Sequence, residues 1–265
     1  MRLAGIASGS SGNCTYVGSE RTHILVDTGC SKKRIDEGLD RLGLSLSDID
    51  AIFVTHEHTD HIAGLHTILK KYDIPVYATD GTIAGIRASD RKGDMRERFF
   101  ERVRADEPVE VGDLTIDPMT IVHDAAEPVG YRIRCGSVRM AVATDMGCYD
   151  DYTVRALSGM DALLIEANHD VRMLQSGPYP YALKRRIMGD MGHLSNEASG
   201  MLISRILNDH IQGIILGHLS KENNMPELAA RAVRLEIDEG GGPYRGGDIR
   251  LCVARRAELS DVIEV

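Results

Sequence analysis

The chain has 265 residues, 43% of them hydrophobic and 27% charged, and a formal charge of −9. That is an ordinary globular composition, long enough to bury one large core or two small ones. The acidic balance argues against a protein that coats nucleic acid nonspecifically. It leaves room for a nucleic-acid enzyme, because bound divalent cations add positive charge that the count omits. No apolar run reaches the roughly 18 residues of a membrane span. Five scattered cysteines, Cys14, Cys30, Cys135, Cys148 and Cys252, form no CxxC pair and suit reduced thiols. The expectation is a soluble, cytoplasmic protein with no membrane partner.

Short β-branched runs alternate with amphipathic stretches along the whole sequence, which predicts a layered α/β architecture. Strands are predicted at Leu3 to Ala7, Thr15 to Val17, His23 to Val26, Ala51 to Val54, Pro75 to Ala78 and Leu114 to Met119. Further strands follow at Gly130 to Arg134, Val138 to Ala143, Ala162 to Ile165, Gly213 to Leu216 and Ile249 to Val253. Helices are predicted at Ser31 to Leu42, Ile62 to Tyr72, Asp80 to Ser89, Asp150 to Leu157, Pro180 to Met188, Ser195 to Asn208 and Pro226 to Ile237. The mixed-charge stretch from Arg87 to Arg104 reads as a solvated excursion, and Glu239 to Asp248 as a glycine-rich loop. No composition break divides residues 1–265, so a single domain is expected.

The most informative run is Thr55-His56-Glu57-His58-Thr59-Asp60-His61, directly after the apolar Ala51-Ile52-Phe53-Val54. On a helix His56 and His58 would point to nearly opposite sides, whereas in an extended segment both fall on one face. A strand running into a loop lets these two close on one cation while the turning chain offers Asp60 and His61 to a second. Four other apolar runs also end on a polar residue. They place Asp27, His123, Asp145 and His218 after predicted strands, where α/β proteins commonly build their sites. A single such histidine is more simply a loop residue; the case for His123 and His218 rests on their company.

This ordered set resembles the metallo-β-lactamase-fold hydrolases over nearly the whole chain, from Asp27 to His218. The resemblance implies a four-layer αβ/βα sandwich with a binuclear centre at the sheet edges. It implies that His56, His58 and His123 hold a first divalent ion, that Asp60, His61 and His218 hold a second, and that Asp145 bridges them. Asp27 would orient the metal loop from behind, and Asp60 is also expected among the catalytic groups. Two ions per chain are expected, zinc or manganese, with iron suited to the same donors. Between them they would activate a bridging hydroxide for in-line displacement. The cysteine and export signal of secreted B1 lactamases are both missing.

Two blocks point to nucleases. The segment from His123 to Ile133, with its Gly130-Tyr131-Arg132, is similar to the third motif of tRNA 3′-processing ribonucleases, and Gly192-His-Leu-Ser-Asn196 to the block where a non-ligand histidine opens a helix. On that likeness His193 is a candidate general acid, with Glu166 or Asp190 as its carboxylate partner. Ser195 or Asn196 could equally cap a helix with His193 a passive neighbour, and both readings can hold. Ser8-Gly-Ser-Ser-Gly-Asn13, Val26-Asp-Thr-Gly-Cys-Ser31, Glu166-Ala-Asn-His-Asp170 and Leu216-Gly-His-Leu-Ser-Lys-Glu-Asn-Asn224 are similar to the bacterial WalJ/YycJ (VicX) branch. That branch implies 5′-to-3′ exonuclease action on DNA. A thioesterase or lactonase using the same hydroxide, or a ribonuclease, remains the alternative. Ser10, Ser11, Asn13 and Lys221 are candidates for phosphate contacts. Lys32-Lys33-Arg34 and Lys184-Arg185-Arg186 read either as backbone-tracking patches or as helix-surface charge.

Overall fold

A computed structural model describes residues 1–90, 93 and 95–265, which build two seven-stranded sheets stacked face to face. The strands are β1 (Arg2–Ala7), β2 (Cys14–Gly18), β3 (His23–Val26), β4 (Ala51–Phe53), β5 (Val76–Ala78), β6 (Phe100–Arg102) and β7 (Val109–Val111). They continue with β8 (Leu114–Thr120), β9 (Val129–Cys135), β10 (Val138–Ala143), β11 (Ala162–Glu166), β12 (Gly213–Gly217), β13 (Leu251–Val253) and β14 (Ile263–Glu264). The helices are α1 (Lys32–Arg41), α2 (Thr59–Ile62), α3 (Leu65–Leu69), α4 (Asp80–Ser89), α5 (Asp151–Leu157), α6 (Val171–Ser176), α7 (Tyr181–Met188), α8 (Asn196–Ile206) and α9 (Pro226–Glu239).

The first sheet has the order β14-β1-β2-β3-β4-β5-β6 and the second β13-β12-β11-β10-β9-β8-β7. Each is half antiparallel and half parallel: β3 to β6 run parallel in one, β10 to β13 in the other. Parallel strands bring their carboxyl ends to one edge, and the site is built there.

Side-chain alternation makes the layers. Along β4, Ala51 and Phe53 enter the core between the sheets, while Ile52 and Val54 face the helices outside. β10 behaves likewise, with Met140 and Val142 inside and Ala141 and Ala143 under the outer helices. Three buried clusters therefore separate four layers, which is the αβ/βα sandwich expected from the sequence. Helix starts are fixed by side-chain oxygens: Ser31, Thr79, Asp150 and Ser195 each accept a first-turn N–H. Among the described residues no helix is long and apolar enough to cross a membrane.

Some elements differ from expectation. The helix predicted from Ile62 to Tyr72 is two short ones, broken where the Gly64 N–H donates to the Thr28 carbonyl at 2.8 Å. A Cβ at Gly64 would lie 2.3 Å from the Cys30 carbonyl oxygen, so this close crossing needs glycine. The strand predicted from Ile249 begins at Leu251. The short strands β6, β7 and β14 and the helix α6 were not foreseen; each has too few residues to display a period. Within the excursion from Arg87 to Arg104, α4 ends at Ser89 and a turn leads into β6, while Arg91, Lys92 and Asp94 lie outside the described residues.

Candidate metal centre

The tips of β3, β4, β8, β10, β11 and β12 converge on one cleft with a volume of about 230 Å³. Past β4 the chain stays extended through His56 to His58, which is the residue before α2, so Asp60 and His61 sit on that helix's first turn. His123 follows β8, Asp145 follows β10, Glu166 ends β11 and His218 follows β12. Asp27, Asp145 and His218 have φ of 63°, 61° and 53°, three of the four non-glycine residues in left-handed backbone among the described residues. Such a conformation costs on the order of 1–3 kcal/mol and persists only where its surroundings enforce it. Here it turns the chain sharply off three strand ends at the cleft.

All seven residues expected as metal ligands meet there. Donor atoms of His56, His58 and His123 lie within 4.8 Å of one another, as do those of Asp60, His61 and His218. Asp145 stands between the two groups: Oδ2 is 3.4 Å from His61 Nε2, and Oδ1 is 3.3 Å from His218 Nδ1 and 3.9 Å from His123 Nε2. His193 adjoins them, its Nδ1 2.8 Å from Glu166 Oε1.

Hydrogen bonds behind the imidazoles set which nitrogen faces the cleft. Asp27 Oδ2 pairs with His61 Nδ1 at 2.7 Å, and the Thr55 hydroxyl donates to the same carboxylate while lying 3.0 Å from His56 Nδ1. The Gly192 carbonyl is 3.1 Å from His123 Nδ1, and Glu166 Oε1 is 2.9 Å from His218 Nδ1. These contacts hold each ring by its Nδ1 and leave Nε2 directed inward, the pattern by which carboxylates and carbonyls orient metal-binding histidines. His56 Nε2, His123 Nε2, His218 Nε2 and Asp145 Oδ2 are buried without a hydrogen-bond partner. Four converging buried polar atoms without partners are costly, and imidazole nitrogens with a carboxylate oxygen are donors that suit a divalent ion, so the residues present fit one.

Charge separates the two groups. Burial lowers the pKa of His56 well below its ordinary value and that of His123 below its own, Asp145 opposing the latter shift. Burial acts in the same sense on His61, yet Asp145 and Asp27 outweigh it and raise that imidazole to about 9. His218 is raised well above the ordinary value, Asp145 and Asp60 overcoming its burial. Glu166 is fully buried, but His193 and His218 hold its carboxyl far below the usual range. A cation entering beside His61 and His218 must therefore displace protons.

Close backbone packing positions the metal loop. A Cβ on Gly29 would fall 1.6 Å from the Asp60 carbonyl oxygen, so only glycine lets the Asp27–Gly29 turn press against α2. Asn13 braces the same loop: its N–H donates to the Asp60 carbonyl, and its Nδ2 is 3.0 Å from His61 Nε2. That employs Asn13 in loop support, not phosphate contact, whereas Ser10 lines the cleft. Glu166 is the carboxylate beside His193, and the other candidate, Asp190, is exposed. Ser195 caps α8, so capping and a cleft-facing His193 coexist. His169 is buried and does not line the cleft, its Nδ1 3.3 Å from Asn168 Oδ1. Lys32 and Lys33 pair with Asp36 and Glu37 along α1, the helix-surface reading. Arg186 of α7 bonds both oxygens of Asp124, next to His123. Thr55 escaped the sequence reading because nothing marks a threonine that relays between Asp27 and two imidazoles.

A family model described as the Beta-lactamase superfamily domain matches residues 22–215. The chain belongs to that superfamily. Exodeoxyribonuclease YycJ of Bacillus anthracis is 37% identical over 241 residues, 91% of this chain and 90% of that protein. Exodeoxyribonuclease WalJ of Streptococcus pneumoniae is 39% identical over 227 residues, 84% and 83% of the two. These matches place the chain in the YycJ/WalJ branch. Zn(2+)-bound PqqB from Methylobacterium extorquens has the same fold, with a TM-score of 0.71 at 18% identity and 100% of both chains covered.

Proposed function

We propose that this chain is a metal-dependent exodeoxyribonuclease that degrades DNA from 5′ ends. His56, His58 and His123 hold one divalent cation, zinc or manganese, Asp60, His61 and His218 hold a second, and Asp145 is shared. Residues 1–265 act as one unit, and the cytoplasm is its compartment, in keeping with five free cysteines. The observation that carries this reading is the meeting of seven donors, four of their atoms orphaned and buried, beside the His193–Glu166 pair. The two relatives named exodeoxyribonucleases support DNA as the substrate.

Divalent cations at such a centre neutralise phosphate charge and bring a water to its nucleophilic form near neutral pH. The chain's own groups do the rest. Glu166 Oε1 accepts the Nδ1 proton of His193 and fixes the orientation of its ring. His193 Nε2 then protonates the departing 3′ oxygen, a role worth on the order of 10² to 10⁴ in rate. Asp27 and Thr55 hold the Nδ1 edges of His56 and His61, which turns the Nε2 of each ring toward the other donors. Asn168 Nδ2 donates to the His218 carbonyl at 2.9 Å and fixes the last strand tip.

The test is purified protein, reconstituted with manganese or zinc, on DNA and RNA labelled at either end and on a hydroxyacyl thioester. Chelator-sensitive release of mononucleotides from the 5′ end of DNA is expected. Faster turnover of the thioester than of any nucleic acid would replace this reading with a small-molecule hydrolase.

A further inference from the structure

A second recess opens beyond the wall formed by the residues after His218. Strands β12 and β13 are parallel neighbours, with Leu216 opposite Val253, and the Ala254 N–H donates to the Leu216 carbonyl at 2.8 Å. Their tips therefore lie side by side, and the loops leaving them, His218 onward and Ala254 onward, enclose a recess of about 620 Å³. Ser220 lines both this recess and the metal cleft, so the two share a wall. Ser8, also on the recess, accepts the His218 N–H through its hydroxyl at 2.7 Å.

The recess is cationic in a protein of net charge −9. Lys221, Arg255 and Arg256 line it against one carboxylate, Glu258. Arg256 is anchored, Nη2 donating to the Leu219 carbonyl at 3.1 Å, while its Nη1 is buried without a partner. Arg255 and Lys221 meet Glu258 and Glu222 only in exposed pairs at 3.4 and 4.0 Å, which hold charges weakly. A guanidinium anchored through one nitrogen and unpartnered at the other, two cations held only in exposed ion pairs and the Ser8 hydroxyl make an anion receptor, and arginine forks match phosphate oxygens well.

We propose that this recess is a second phosphate subsite, in which Arg256, Lys221 and Arg255 grip a backbone phosphate of the substrate strand beyond the scissile one. The inference rests on the nuclease reading above and deepens it. The metal cleft is the smaller of the two, about 230 Å³ against about 620 Å³, and the neighbouring recess supplies the grip on the rest of the strand. Contacts of this kind position a strand without reading its sequence.

The variants are Lys221→Ala/Arg255→Ala, two exposed positions, and Arg256→Lys, which keeps charge but loses the fork. Two readouts apply to metal-loaded protein. Fluorescence anisotropy follows binding of a labelled, hydrolysis-resistant phosphorothioate oligonucleotide, and hydrolysis of bis(p-nitrophenyl) phosphate reports a diester too small to reach the recess. The double variant is expected to bind about tenfold more weakly at low salt, with the slope of log Kd against log salt reduced by about 1.4, two single-strand contacts' worth. Its hydrolysis of the small diester stays within twofold of the parent. Unchanged oligonucleotide binding and salt slope in both variants would overturn the inference while leaving the nuclease reading intact. An oligonucleotide bound through the recess by a protein that cleaves no diester would retain the subsite and refute the nuclease reading.

Discussion

The two sheets contribute to the cleft in opposite ways. The first sheet supplies His56, His58, Asp60 and His61 from one run of six residues, whereas the second supplies His123, Asp145, Glu166 and His218 from separate strand tips, with His193 added from the turn before α8. Their electrostatics divide along another line. In the three-imidazole group burial pushes His56 and His123 toward the neutral form, while carboxylates raise His61 and His218 in the other. One group is ready to accept a cation, and the other must give up protons first. On the two-cation proposal these would be two coordination environments beside a shared aspartate, and the largest of the effects below test whether they are separate or one.

The largest effect is expected from Asp145→Ala, which removes the carboxylate between the groups. Activity on DNA should fall by on the order of 10³ or more, and metal analysis should show both cations depleted. Depletion of one cation alone would make Asp145 a member of a single group. Next comes His193→Ala, which should keep its metal content and lose 10² to 10⁴ in kcat; normal turnover would dismiss His193 as the acid. Glu166→Gln preserves shape but removes the charge bonded to His193 and His218. About 10- to 100-fold of activity should go, with affinity lost for one cation and kept for the other.

A smaller effect separates histidines buried inside the site from one buried outside it. His169, with no carboxylate strong enough to offset its burial, is lowered from 6.5 to about 4. The unfolded chain then binds more protons than the folded one between these values, so stability falls as pH drops through that window. About 2 kcal/mol should be lost at this residue between pH 7 and 5. Urea unfolding of the parent and of His169→Asn at both pH values gives the difference, and an NMR titration placing His169 near 6.5 would reject it. Smallest is Arg186→Ala. Its pair with Asp124 is half exposed, so stability should change by less than about 1 kcal/mol in thermal unfolding.

The contrast between the sheets also explains what the sequence revealed. The run from His56 to His61 was legible because its potential donors crowd into six positions and a strand precedes them. His123, Asp145 and His218 were legible only as a repeated event, a polar residue after an apolar run, and their convergence depends on the parallel order of β10, β11 and β12. Most strands declared themselves by alternation or by apolar runs. The splitting of α2 from α3 did not, because Gly64 answers to a carbonyl of a distant turn. The left-handed backbone at Asp27, Asp145 and His218 was equally invisible, since aspartate and histidine tolerate it more often than most residues but adopt it only where their surroundings enforce it. Thr55, Asn13 and the recess around Arg256 lie in the same class: their roles follow from neighbours supplied by other strands.

The most direct test of two separate cation sites sharing one cleft is the metal stoichiometry of the parent, His58→Ala and His218→Ala proteins after manganese or zinc loading and desalting. The expected result is two ions per chain in the parent and one in each variant, with DNA cleavage lost in both. A parent that binds no divalent ion, or variants that keep the full complement, would contradict it.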